Sequence, residues 1–250
     1  MIDENVLHAM LLAQDEKITA LQQALEDFTK QVAATYASKA YVQTYTENML
    51  GELMPVHDSF TETTPIIGYT PLDVDIVLKH FRNIGGTYTL NDYRSILLSY
   101  DKAAEKGNVN PYLAVAQMAK ETDWGRSFWS QRPRRNPAGI GVTGEKSETE
   151  KPKDTWAFDS SENIWKKGYS FPSWEIAAQA HIGHLLAYVY KQAELNDEQL
   201  YLVAVDPRAK FIPATTRGKV KLLKDLDGKW AVPGVGYGRS IATLANALRV

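Results

Sequence analysis

Apolar residues at Leu7, Leu11, Ile18, Leu21, Leu25, Phe28 and Val32, with Gln14 and Thr35 completing the series, are spaced alternately four and three apart. That alternation is the seam of a coiled coil. It predicts an oligomerising helix over residues 7–35, about 40 Å long at about 1.5 Å per residue, with polar Gln14 fixing the register. The competing reading is a helix packed against the rest of the chain, since short heptads also occur in bundles. Gly51, Pro55, Pro65, Gly68 and Pro71 then interrupt any regular element and predict a linker. A short docking helix is expected over 73–81. Gly85-Gly86 marks the entrance to the main part of the chain. The expected division is therefore 1–50 coiled coil, 51–84 linker and docking segment, and 85–250 main domain.

Beyond Gly86 the period becomes that of amphipathic helices. Thr89-x-x-Asp92 is a capping box, and Tyr93, Ile96, Leu97, Tyr100 and Ala104 share one face of the helix it opens, with Gly107 as its stop. Asn110 is a good N-cap and Pro111 suits the first helical position, where its missing N–H costs nothing. The helix they start is apolar almost all round, which predicts burial, and Gly125 is its expected stop. Residues 126–172 read as loops, with a charged, mobile stretch at 145–154. Ser173 caps a further helix with Trp174, Ala177, Ala178, His181, Leu185 and Tyr188 on one face. Asp227-Gly228, between strand-like ends at 222–232, predicts a hairpin. Residues 240–248 predict a short amphipathic helix. The expected class is mainly α, with a small hairpin-and-loop lobe (α+β).

Composition narrows the chemistry by exclusion. The 250 residues are 44% hydrophobic and 23% charged, with net charge −2. Nothing here favours nucleic acid as a partner. Cysteine is absent, which removes disulfides and thiol chemistry. No apolar run reaches the roughly 18 residues of a membrane span. Asp3 and Glu4 stand where a signal peptide would be basic. His181 and His184, three apart, could share a metal, but no further ligands cluster with them, so hydrogen-bonded core histidines are expected and no metal or other cofactor is assigned.

One position invites chemistry. Glu121 falls in the last turn of the Pro111 helix, where the helix dipole is negative and the surroundings are apolar. Both influences favour the protonated carboxyl, the state a general acid requires. Gln117 lies one turn earlier on the same face. Arg126, Arg132, Arg134 and Arg135 form a basic cluster, read as a solvated, locally paired loop or as an attractor of anionic polymer. Trp156 and Trp165 are candidates for stacking on sugars.

The spacing Gln117-x-x-x-Glu121, then Trp124-Gly125, then Asn136-x-x-Gly139-Ile140 resembles the glucosaminidase family of the lysozyme-like superfamily, whose members cut the sugar backbone of peptidoglycan. The resemblance covers roughly 85–250. Its last motif, usually Tyr-Ala-Thr-Asp followed by a Tyr before a terminal helix, is represented by Trp230-Ala231-Val232-Pro233 and Tyr237. Ala138 stands where Phe is usual. The resemblance implies a lysozyme-like domain with Glu121 and Tyr237 catalytic, and Gln117, Trp124, Asn136, Gly139, Trp156 and Trp230 lining the substrate. The second catalytic group is open between a carboxylate among Glu145, Glu148, Glu150, Asp154 and Asp159 and the substrate's own N-acetyl group. A lytic transglycosylase and an inactive fibre or wall-binding protein are the alternatives. Lys39-Ala40-Tyr41-Val42 looks like a short motif of phage tail-fibre proteins near trimeric coiled coils. It implies a homotrimer, other tail proteins as partners, and a place in a virion or otherwise outside the cytoplasm.

Overall fold

The computed structural model describes residues 59–250, apart from 83 and 85, and of the preceding segment only residues 23, 27 and 30. The expected coiled coil and its trimer lie outside the described residues. Residues 59–250 make up one compact unit.

Local cap chemistry sets most helix starts. Asp73 accepts from Ile76 N and opens α1 (Val74–Lys79). The Thr89–Asp92 capping box opens α2 (Leu90–Gly107), with Tyr93, Ile96, Leu97, Tyr100 and Ala104 buried as its periodicity requires. Asn110 accepts from Tyr112 N and opens α3 (Pro111–Thr122). Ser173 opens α4 (Trp174–Val189), which is buried on nearly every side. Asn196 and Gln199 form a capping box at α5 (Asp197–Val205), a helix without a strong apolar stripe. The last helix, α6 (Tyr237–Ala247), begins three residues earlier than its amphipathic pattern suggests.

α2, α4 and α5 pack together, and α3 lies between α2 and α6. Gly183 permits the closest of these approaches: a Cβ there would sit 2.0 Å from the Leu202 carbonyl oxygen. Ile66, Tyr100, Met118, Ile182, Leu186, Leu202, Leu223 and Ile241 are fully buried in the shared core.

The β lobe differs from expectation in position. It is an antiparallel three-stranded sheet, order β1–β3–β2, made of β1 (Lys146–Ser147), β2 (Trp156–Asp159) and β3 (Ile164–Lys167). It occupies part of the stretch read as charged loop. Phe158 lies against Trp165 across β2 and β3, and lysine–carboxylate pairs decorate the lobe: Lys166 bonds Asp159 at 2.7 Å and Glu162 at 2.6 Å, and Lys167 bonds Glu145 at 2.7 Å. The hairpin expected at Asp227-Gly228 is instead a 3-10 turn, Leu223–Leu226, followed by a tight loop. The Asp227 carboxylate is needed elsewhere, as described below.

Residues 59–70 run as a strap across the unit. Ile67 bridges Val109, Pro65 bridges Leu222, and Asn110 N donates to the Ile66 carbonyl at 3.0 Å. Asn246, near the end of α6, bonds both Phe60 N and Phe60 O. Leu72, Val77, Leu78 and Phe81 continue this segment into the core. The segment expected to link and dock thus supplies side chains to the same core as the helices.

Candidate functional site

The site begins with a helix whose end is built to turn sharply. Of α3, only Lys120 is exposed and Glu121 partly so. The helix stops at Thr122, ahead of Gly125, because Asp123 and Trp124 both take left-handed conformations (φ 49° and 57°) and Gly125 follows at 82°. Three successive left-handed residues cost strain in the first two, which are not glycine. Thr122 and Tyr93 secure the turn: Thr122 Oγ1 accepts from Gly125 N at 2.8 Å, and the Tyr93 hydroxyl donates to the Trp124 carbonyl at 2.9 Å. Trp124 packs edge-on against Phe81. Glu121 is thereby left at the rim of a closed helix end.

Tyr237 comes to meet it from 116 residues away. Its hydroxyl donates to Glu121 Oε1 at 2.6 Å and accepts from Gln117 Nε2 at 2.9 Å. Tyr237 is the first residue of α6, and its N-cap, Gly236, has no side chain to cap with. Asp227 does that work: its two carboxylate oxygens accept from Gly236 N at 2.7 Å and Gly238 N at 2.8 Å. Gly238 lets α6 sit against the 3-10 turn, since a Cβ there would lie 2.3 Å from the Leu223 carbonyl oxygen.

Electrostatics sort the two groups. Burial pushes the Glu121 carboxyl above its ordinary 4.5, against the opposing pull of the Tyr237 hydrogen bond and the Lys120 charge. Burial, and then the Glu121 charge, push the Tyr237 phenol far above its usual range. Tyr237 is therefore a fixed phenol donor and not a phenolate, while Glu121 is a carboxyl biased toward holding its proton.

The Asn136 loop closes one side. Asn136 is fully buried, donates to the carbonyls of Ile140 (2.8 Å) and Tyr169 (2.9 Å), and accepts from Ile140 N (2.8 Å). Its side chain ties the loop rather than reaching outward. Gly139 (φ 64°) has open space where a Cβ would be, so it serves the turn and not a close approach. The close approach is at Gly141, where a Cβ would fall 2.4 Å from the Tyr169 ring. Ala138 and Ile140 pack with Phe171, Ala177 and Ala180.

Trp230 is partly buried over the histidine pair, 5.6 Å from the His181 ring and 4.9 Å from the His184 ring. Neither histidine is arranged as a metal ligand. His181 bonds Tyr100 and Gln117, and His184 donates from Nδ1 to Asp206 Oδ2 at 2.5 Å. Trp156 stands apart on β2, in a groove of about 380 Å³ shared with Phe158, Trp165, Arg134 and Lys153. The basic cluster is spent on local contacts: Arg126 pairs with Asp123, Arg132 pairs with Asp92 and covers Tyr88, and Arg134 stacks on Phe128. Asp159 is held ionised, well below the usual carboxylate range, by Lys166 and Ser161, and Glu145 is lowered by Lys167.

The profile of the glucosaminidase family, described as mannosyl-glycoprotein endo-beta-N-acetylglucosaminidase, matches residues 98–223, about half of the chain. The chain belongs to the glucosaminidase family. Gln117, Glu121 and the Asn136–Ile140 loop lie within the matched residues; Tyr237 and Trp230 lie beyond them and are joined to the site by the fold. No curated protein sequence matches the chain significantly. Among solved structures, the catalytic domain of the autolysin Auto from Listeria monocytogenes is similar at 19% identity and a TM-score of 0.39, covering 68% of this chain and 91% of that one. For this glucosaminidase, sequence reasoning missed Asp227, which read as a turn residue, and gave His181 no part in the site. The only signal for either was proximity to a motif: Asp227 stands ten residues before Tyr237.

Proposed function

We propose that this glucosaminidase hydrolyses the glycan backbone of peptidoglycan at an N-acetylglucosaminyl bond, with Glu121 as the general acid. The observation that carries the reading is the 2.6 Å bond from a buried phenol to a carboxyl whose burial favours its protonated form. Tyr237 occupies Oε1, which leaves Oε2 to deliver the proton to the departing glycosidic oxygen. Positive charge then develops at the anomeric carbon and needs a partner. The substrate's own N-acetyl oxygen is the group proposed to attack the anomeric carbon, with Tyr237 bordering the place where it sits; Gln117, expected to line the substrate, is buried and instead holds Tyr237 from behind. Trp156 offers its ring to a sugar face further along the strand, Trp230 and Trp124 border the cleft, and Asn136 and Gly139 shape its wall. The heptad over 7–35 supports a trimeric carrier, such as a phage tail, that brings the enzyme to the wall from outside the cytoplasm.

Release of dye from labelled peptidoglycan, with mass spectrometry of the products, tests the reading. Glu121→Gln keeps the shape but cannot give a proton, so turnover falls at least ~10²-fold while glycan binding is retained. Tyr237→Phe costs less. A reducing N-acetylglucosamine end is the expected product. An anhydro end indicates a lytic transglycosylase, and near-full activity in Glu121→Gln means that the acid is misassigned.

A further inference from the structure

Behind the Glu121–Tyr237 pair the hydrogen bonds continue inward through three more side chains, Gln117 on α3 itself and His181 and Tyr100 on two other helices. Gln117 Oε1 lies 3.0 Å from His181 Nε2, and His181 Nδ1 lies 2.8 Å from the Tyr100 hydroxyl. The chain runs Tyr100–His181–Gln117–Tyr237–Glu121 and links α2, α4, α3 and α6. His181 and Tyr100 are fully buried. The His181 ring is neutral, its pKa lowered to about 3 by burial and then by His184.

Such a chain has two self-consistent polarities. In one, every donor points toward the carboxyl: Tyr100 O–H to Nδ1, Nε2–H to Gln117 Oε1, Gln117 N–H to the Tyr237 oxygen, and Tyr237 O–H to Glu121. In the other all are reversed. The Gln117 amide is turned over, and Glu121 must spend its proton on the Tyr237 oxygen. Only the first leaves the acid proton free for a substrate. The two differ at the buried end. Tyr100 bonds to His181 alone among the described side chains, so reversal would leave its hydroxyl hydrogen without an acceptor in a dry core, a costly defect.

We infer that Tyr100 and His181 are positioning residues that set the direction of the hydrogen-bond chain, and with it which oxygen of Glu121 carries the deliverable proton. Neither touches substrate. The inference rests on Glu121 being the acid, but its geometry is testable without turnover. His184 is the charged or titratable group acting on His181, and Tyr237 and Lys120 are those acting on Glu121.

The first measurement is the tautomer of His181, by nitrogen NMR of the full chain labelled at histidine. A single neutral Nε2–H tautomer is expected. An Nδ1–H tautomer overturns the assigned direction whether or not the protein is active. The second is Tyr100→Phe, which removes the bias and leaves the ring stack in place. A mixture of His181 tautomers is expected. With it, kcat should fall about tenfold, the kinetic equivalent of one modest hydrogen bond, at unchanged KM. The alkaline limb of the pH profile should move upward, because a reversed chain holds the proton on Glu121. Unaltered kcat and limb in folded Tyr100→Phe overturn the positioning role. If Tyr100→Phe does not fold, the wild-type tautomer decides. Absence of any turnover by the wild-type protein rejects the proposed function and leaves the tautomer result standing.

Discussion

At the scale of single residues, the site shows a carboxyl kept in a place that suits its proton better than its charge. Glu121 sits at the negative end of a helix, partly buried, with its pKa raised. A carboxyl whose folded pKa lies above its unfolded one stabilises the fold relative to its ionised form at low pH, and that contribution is lost as pH rises through the folded pKa. Glu121→Gln removes the ionisation. The variant should melt with the wild type near pH 4 and at a higher temperature than the wild type above the raised pKa, a gap that thermal scans at several pH values would reveal. A gap of opposite sign would mean that the ionised form is the one the fold prefers. The expected gain is what the proposed role of Glu121 as the acid entails, since sites of chemistry are commonly held at a cost in stability. Residue by residue, the surroundings of Glu121 were legible because their signal is local: position in a helix, apolar neighbours, and a Gln one turn earlier. It did not disclose the role of His181, whose partners Gln117 and Tyr100 lie 64 and 81 residues away.

At the scale of elements, helix starts were legible wherever the cap and the apolar stripe coincide, as at Thr89, Asn110 and Ser173. α5 was missed because its capping box at Asn196 precedes a helix with no distinct polar and apolar faces. The sheet was misplaced for a physical reason: its strands are two to four residues long, too short for an alternation of apolar residues to mark them. Asp227-Gly228 carried a turn signal that belonged to the capping of α6 at nine and eleven residues' distance. That cap is the element on which Tyr237 depends. Asp227→Ala should lower stability by about 1–2 kcal/mol, the value of a strong N-cap, and reduce turnover because the start of α6 is freed. Asp227→Asn, which keeps one acceptor, should recover part of both. Stability lost without any change in turnover would show that Tyr237 is held by its packing alone.

At the scale of the whole molecule, the boundary of the folding unit falls at Ser59 and not at Gly85. Sequence reasoning read the prolines and glycines of 51–72 as a linker. Of these, Pro65 and Gly68 lie in the strap of 59–70, which has no regular structure of its own but buries Ile66 and leads to Leu72, Leu78 and Phe81 in the core. A fragment beginning at residue 59 should therefore melt cooperatively, like the full chain. One beginning at residue 85 exposes the surfaces these side chains cover, and each lost side chain of this size typically costs about 2–5 kcal/mol. Circular dichroism of the two fragments would decide, and equal cooperative melting would show that the strap is dispensable.

The strap also gives the molecule a mechanical direction. Tension applied at residue 59 first meets the clamp of Asn246 on Phe60, then the isolated bridges of Pro65 with Leu222 and Ile67 with Val109. Bridges met one after another yield like a zipper, at lower force than bonds sheared together. Between those two bridges lies the bond from Asn110 to Ile66, and Asn110 is the residue that starts the helix carrying Glu121. A steady pull on the N-terminal side would thus slacken α3, which carries Glu121, at its root while most of the core still held.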